Sequence, residues 1–167
     1  MRADIEAKYL EAYDQWATAI YRHCYFRVFS KERAEELVQD TFMKTWVYLK
    51  DGNEVENLKA FLYKVANNLI IDNSRKKKEE SLDSLMEQSR TNEPSFEGHK
   101  SMEQKVLVQQ ILEVMDELPE NYKHLLIMRY VDDLQPREIA EILDIKVNNV
   151  SVTLNRAVTA LKSKVEK

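Results

Sequence analysis

Glycine and proline are scarce in this chain, with two and three among 167 residues. All-β folds use many of both at their turns, so the shortage favours an all-helical protein. One cysteine, Cys24, excludes an intrachain disulfide framework and suits a reducing compartment. No apolar run approaches the roughly 18 residues that span a bilayer. The opening MRADIEAKYLEAYDQW lacks the apolar stretch of a signal peptide. The expectation is a soluble, cytoplasmic protein without membrane insertion. The three histidines, His23, His99 and His124, lie far apart and share no metal-ligand spacing with Cys24. No phosphate-cradling glycine loop occurs. Neither a metal, a cofactor nor a catalytic constellation is expected, and Cys24 reads as a small buried hydrophobe.

What is present is charge and helical periodicity. Charged residues make up 32% of the chain and hydrophobic residues 44%, enough to build a core. The formal net charge of -4 is unevenly placed. Residues 1–78 hold 14 Lys and Arg against 12 Asp and Glu; residues 79–103 hold 2 against 7; residues 104–167 hold 9 against 10. The acidic middle stretch, poor in large apolar residues and containing Pro94 and Gly98, reads as a linker with at most a short helix around Leu82–Met86. The expected architecture is two small helical domains, 1–78 and 104–167, joined by that linker.

In the first module, three apolar stripes recur at helical spacing. Ile5, Tyr9, Leu10, Tyr13, Trp16, Ala17 and Ile20 form one. Leu37, Val38, Phe42, Thr45, Trp46 and Leu49 form the next, and Leu58, Phe61, Leu62, Val65, Ala66, Leu69 and Ile70 the third. KDGNEVEN, residues 50–57, separates the last two as a loop with Gly52 and Asn53 as turn residues. In the second module, Val106, Ile111, Leu112, Met115 and Leu118 mark one helix, and Pro119 opens the next. Pro136 opens a short helix to Leu143, and Asp144–Lys146 turns into the last one.

These last two helices have the cadence of a helix-turn-helix. Val147, Val150, Leu154, Ala157 and Leu161 make a stripe expected to be buried against Ile139, Ile142 and Leu143. The opposite face shows Asn148, Ser151, Val152, Asn155 and Thr159. A solvated face usually carries Lys and Glu, whereas Asn, Ser and Thr are poorer helix formers. Asn can bond adenine through two hydrogen bonds, Ser and Thr can bond base edges, and Val can meet a thymine methyl. The alternative is an ordinary polar face on a helical hairpin.

LPENYKHLLIMRYVDDLQPREIAEILDIKVNNVSVTLNRAVTALK resembles the region 4 domain of bacterial extracytoplasmic-function sigma factors, which reads the promoter minus-thirty-five element. AEELVQDTFMKTW resembles the polymerase-binding helix of their region 2, and FLYKVANNLIIDNSRKKK resembles their minus-ten helix. The resemblance covers nearly the whole chain, with three motifs in family order. It implies a protein that binds core RNA polymerase and directs promoter recognition, melting and initiation, and that is not an enzyme. The implied partners are the coiled-coil of the largest polymerase subunit, the flap region, promoter DNA and an anti-sigma factor.

Carried over by residue, the resemblance puts Glu36, Gln39, Asp40, Phe42 and Trp46 against polymerase. The three polar residues lie within about one turn, and the two aromatics are spaced i, i+4. The alternatives are a solvated acidic turn and two core rings. For the minus-ten region it implies Lys50, Asn53, Asn57, Lys64, Asn67, Asn68, Arg75, Lys76, Lys77 and Lys78, with the 50–57 loop capturing a flipped base. Four consecutive cations exceed what helix capping requires, though a solvated helix end is the alternative. For the minus-thirty-five element it implies Asn148, Asn149, Ser151, Val152, Thr153, Asn155 and Arg156. This chain departs from the family pattern at Ser151, Thr153 and Val158, where cations are usual, at Asn67, where Arg is frequent, and at Asp144, where Gly is. With its cations in the first module and its acid in the linker and on the polymerase-facing helix, the free protein is expected to bind DNA weakly. The rival readings are a stand-alone helix-turn-helix regulator and a helical interaction protein.

Overall fold

The structure is a computed structural model that describes residues 2–80 and 102–166, with side chains described for 3–73 and 109–166. It is all-α among the described residues and divides into two compact units, Met1–Glu93 and Pro94–Lys167. The expected short helix at Leu82–Met86 lies outside the described residues, as does most of the acidic stretch.

The first unit is built from α1 (Arg2–Val28), α2 (Lys31–Lys50) and α3 (Leu58–Glu80), each packed on the other two. Two residues join α1 to α2. Phe29 takes the left-handed conformation, with φ 52°, and its N–H donates to the Tyr25 carbonyl at 2.7 Å. Ser30 then caps α2, its Oγ accepting from the Arg33 N–H at 3.3 Å. The core holds Ile20, Cys24, Tyr25, Leu37, Phe42, Leu62, Tyr63 and Ala66. His23 is buried with them, its ring edge-on to Tyr63 at 5.3 Å. Thr41 and Thr45 are buried too, and their hydroxyls donate to the Leu37 and Thr41 carbonyls at 2.6 and 2.8 Å. Each buried oxygen is thereby satisfied within its own helix. The α1 stripe is only partly core: Leu10 and Tyr13 are exposed.

The second unit contains α4 (Met102–Met115), α5 (Glu120–Leu126), α6 (Pro136–Leu143) and α7 (Val147–Val165). Between α5 and α6 the chain widens into a π-helical turn, Ile127–Val131, where the Asp132 N–H reaches back to the Ile127 carbonyl at 2.9 Å. Asp133, at φ 54°, then breaks the helix. Gln135 leads into α6, its N–H donating to Glu138 Oε1 at 3.1 Å. Asp144 makes the turn of the hairpin in the left-handed region, at φ 56°, and the Ile145 N–H closes it on the Ala140 carbonyl at 3.0 Å. Val150, Leu154 and Ala157 face Ile139 and Ile142 in the core, as their spacing predicts. Val147 does not join them. It is the first residue of α7 and is exposed, because the stripe begins to be covered only one turn into the helix. Across the unit, Lys164 reaches Glu117 at 3.3 Å, and Lys123 reaches Asp116 at 2.8 Å.

Candidate nucleic-acid and polymerase interfaces

The outward face of α2 is acidic in its first half and apolar in its second. Glu36, Gln39 and Asp40 are exposed, as the sequence predicts. Phe42 is not: it is 2% exposed and belongs to the core. Its ring meets Tyr13 at 4.9 Å and Tyr9 at 6.2 Å, both edge-on. Trp46 is half-buried beneath Tyr9, with ring centroids 5.1 Å apart. Burial, and after it the neighbouring Tyr13 phenol, raise the Tyr9 phenol above the usual tyrosine range. The apolar part of this face comes instead from Met43, 64% exposed, and from Val47. By helical spacing Glu36, Asp40, Met43 and Val47 line one stripe. A groove of about 520 Å³ runs beside it, formed by Tyr9, Leu10, Tyr13, Phe42, Met43 and Trp46, with Glu6 and Gln39 as its polar members. Sequence reasoning missed Met43 and Val47. Their signal was faint: two apolar residues at i, i+4 on the side of α2 opposite the buried Val38 and Thr45.

The 50–57 loop is held by its own side chains. Gly52 adopts φ 94°, which an L side chain rarely does, and its N–H donates to the Leu49 carbonyl at 3.1 Å. Asn53 Nδ2 donates to the Tyr48 carbonyl at 3.0 Å, and Asn57 Oδ1 accepts from the Ala60 N–H at 3.1 Å, capping α3. Both asparagines therefore shape the loop. Lys50, Lys64 and Asn68 are exposed. Asn67 is not: it is 6% exposed, and its Oδ1 accepts from Arg27 Nη1 at 3.1 Å. This removes Asn67 from any DNA-facing surface, because its side chain faces α1. One turn and a half further along, Asn73 accepts from Arg33 Nη2 at 3.0 Å. Arg75, Lys76, Lys77 and Lys78 lie on the backbone of α3, but their side chains fall outside the described ones.

On α7, Asn148, Asn149, Val152, Asn155 and Arg156 are exposed, while Ser151 and Thr153 are half-buried at the sides. The Thr159 hydroxyl donates to the Asn155 carbonyl at 2.9 Å. Two exposed cations that the sequence reading passed over stand at helix starts: Lys146 before α7 and Arg137 in the first turn of α6. Among the described residues no cluster of His, Cys, Asp and Glu could hold a metal ion, and no helix is long and apolar enough to cross a membrane.

Residues 12–80 match the family model for Sigma-70 region 2, and residues 108–161 match that for Sigma-70, region 4. The chain is 30% identical over 155 residues to the ECF RNA polymerase sigma factor SigM of Bacillus subtilis (strain 168), an alignment covering 92% of each. The chain belongs to the extracytoplasmic-function sigma factors. This sigma factor is also 26% identical to SigW of the same organism, across 89% of this chain and 84% of SigW. Its fold is similar to that of the sigma factor RpoE from Bartonella quintana, solved with the anti-sigma factor NepR, at a TM-score of 0.76 and 20% identity over 95% and 97% of the two chains. It is similar as well to CnrH, solved with the cytosolic domain of CnrY, at a TM-score of 0.71 and 14% identity over 96% and 89%. An alternative sigma factor directs RNA polymerase to promoters, and the sigma factors are not enzymes.

Proposed function

We propose that the two units divide this work, with 1–78 gripping polymerase and opening DNA at the minus-ten element, and 104–167 reading the minus-thirty-five element. The observation that carries the first half is the α2 ridge, where exposed carboxylates at Glu36 and Asp40 run into exposed Met43 and Val47. An apolar patch rimmed by charge is the composition of a protein-docking surface. Its occupant is the coiled-coil of the largest polymerase subunit, whose cations the carboxylates would meet. The adjoining groove continues that surface.

For DNA, α3 offers Lys64 and Asn68, with Arg75–Lys78 further along the same helix and Lys50 beside it. The 50–57 loop captures a base extruded from the duplex. On α7, Asn148, Asn149, Val152 and Asn155 contact base edges, while Arg137, Lys146 and Arg156 contact phosphates. Phosphate affinity scales with the number of cations placed against it. Each module alone is a weak reader, and polymerase raises their effective concentration over one promoter. The sigma factor acts in the cytoplasm, without catalysis of its own. A regulator that covers it, as the anti-sigma factor NepR is bound to the sigma factor RpoE in the solved complex, is part of the same reading.

The test is reconstitution. Mixed with bacterial core polymerase, the chain is expected to co-elute with it and to support run-off transcription from members of a randomised promoter library. No complex at low salt, with a known sigma factor binding alongside, would remove this reading. Tight sequence-specific binding by a dimer without polymerase would favour a stand-alone regulator instead.

A further inference from the structure

We propose that Tyr48, braced by Phe61, is a stacking platform for an unpaired base of the opened promoter strand. The inference rests on the strand-opening role proposed above for α3 and the 50–57 loop, and adds to it a binding residue outside that loop.

Tyr48 stands in the last turn of α2 and is 40% exposed. Its ring lies 4.8 Å from that of Phe61, with the two planes only 31° apart. The Tyr9–Phe42, Tyr13–Phe42, His23–Tyr63 and Tyr25–Phe29 pairs meet edge-on instead, as core aromatics often do. This pair is close to an offset stack, with the inner ring half-buried and the outer one exposed. Such a pair offers a flat, supported π surface to solvent.

The surroundings of the pair select the guest. Lys64 and Asn68 follow Phe61 by three and seven residues, so they continue its stripe along α3, and both are exposed. A flat aromatic face beside a cation suits a nucleotide, whose base stacks while its phosphate meets the Lys64 ammonium group. An apolar peptide side chain would have no use for that cation.

The platform is also tied to the loop. Asn53 Nδ2 donates to the carbonyl of Tyr48 itself. A base lodged in the loop and a base stacked on Tyr48 would therefore be near neighbours on one strand. Stacking tolerates any base, because each has a π face. Tyr48 would then hold the strand apart without choosing its sequence, leaving that choice to the loop.

The experiment uses the full chain with core polymerase on a promoter recovered from the library, carrying 2-aminopurine at successive minus-ten positions of either strand. With the wild type, one unpaired 2-aminopurine is expected to stay quenched by stacking. Tyr48→Phe, which keeps the ring, should behave the same. Tyr48→Leu, which keeps apolar bulk without a π face, should light up that position and shorten the open-complex lifetime about tenfold, with core binding unchanged. If open complexes form and Tyr48→Leu matches the wild type in both readouts, the platform is refuted while the strand-opening role stands. If Tyr48→Leu instead loses core binding, the pair is a polymerase contact and the proposal is wrong. If the wild type opens no promoter, the underlying reading falls and takes the platform with it.

Discussion

Arg27 donates to Asn67 Oδ1 across 3.1 Å, tying the end of α1 to the middle of α3. The pair explains why an asparagine sits where the sequence pattern put a DNA contact. Asn67→Ala removes one hydrogen bond from a part-buried guanidinium and is expected to destabilise the first unit by about 1 kcal/mol. Both tryptophans of the chain, Trp16 and Trp46, lie in that unit, so urea unfolding followed by tryptophan fluorescence reports it alone. A wild-type unfolding curve with altered promoter preference would contradict this placement.

Phe42 and Met43 are neighbours in sequence, one buried and the other exposed. Phe42→Ala should cost about 3–5 kcal/mol of stability, as a buried aromatic does. Met43→Asp should leave the melting temperature within a degree or two, yet weaken core-polymerase binding at least tenfold, read by competition against a labelled sigma factor. Equal effects of the two substitutions on stability would show that Met43 is covered.

Two non-glycine residues in the left-handed region should respond oppositely to glycine. Asp144 is exposed, so Asp144→Gly relieves strain at little packing cost and should stabilise the second unit by up to about 1 kcal/mol. Phe29 also sits at positive φ, but its ring packs on Tyr25 at 5.9 Å and Phe26 at 6.3 Å. Phe29→Gly removes a half-buried ring packed on two others and adds glycine's backbone entropy to the unfolded chain, and together these should outweigh the relieved strain and destabilise the first unit. Thermal unfolding by circular dichroism checks both signs.

On α7, Val152 is 39% exposed between Asn148 and Asn155. A branched apolar residue there gains if it meets a thymine methyl. Replacing thymine by uracil across the upstream element should cost the wild type about fourfold in promoter use, the size of one buried methyl. Val152→Ala should show no such sensitivity. Asn155→Ala should alter upstream preference while leaving polymerase affinity intact.

The helices and the helix-turn-helix were legible because burial imprints its period on a chain. Val150, Leu154 and Ala157 lie where their spacing puts them. The α2 aromatics show the limit of that signal. Phe42 and Trp46 are one helical turn apart and so share a side, but which of them is covered depends on Tyr9 and Tyr13 of another helix. Asn67 illustrates the same gap at longer range, since its partner lies 40 residues away. The resemblance puts Asn53 and Asn57 against a base, yet turn and cap bonds within the loop engage both. No periodicity reports which bonds a polar side chain makes after folding.

The α2 ridge keeps its carboxylates and its bare apolar residues on separate turns. Coulomb attraction acts from afar and fades in salt, whereas Met43 and Val47 act only on touching. Raising ionic strength should thus slow the arrival of the sigma factor at polymerase and leave its departure nearly unchanged. In a cell where several such factors compete, that separation would let ionic conditions decide who docks first without loosening whoever is already aboard.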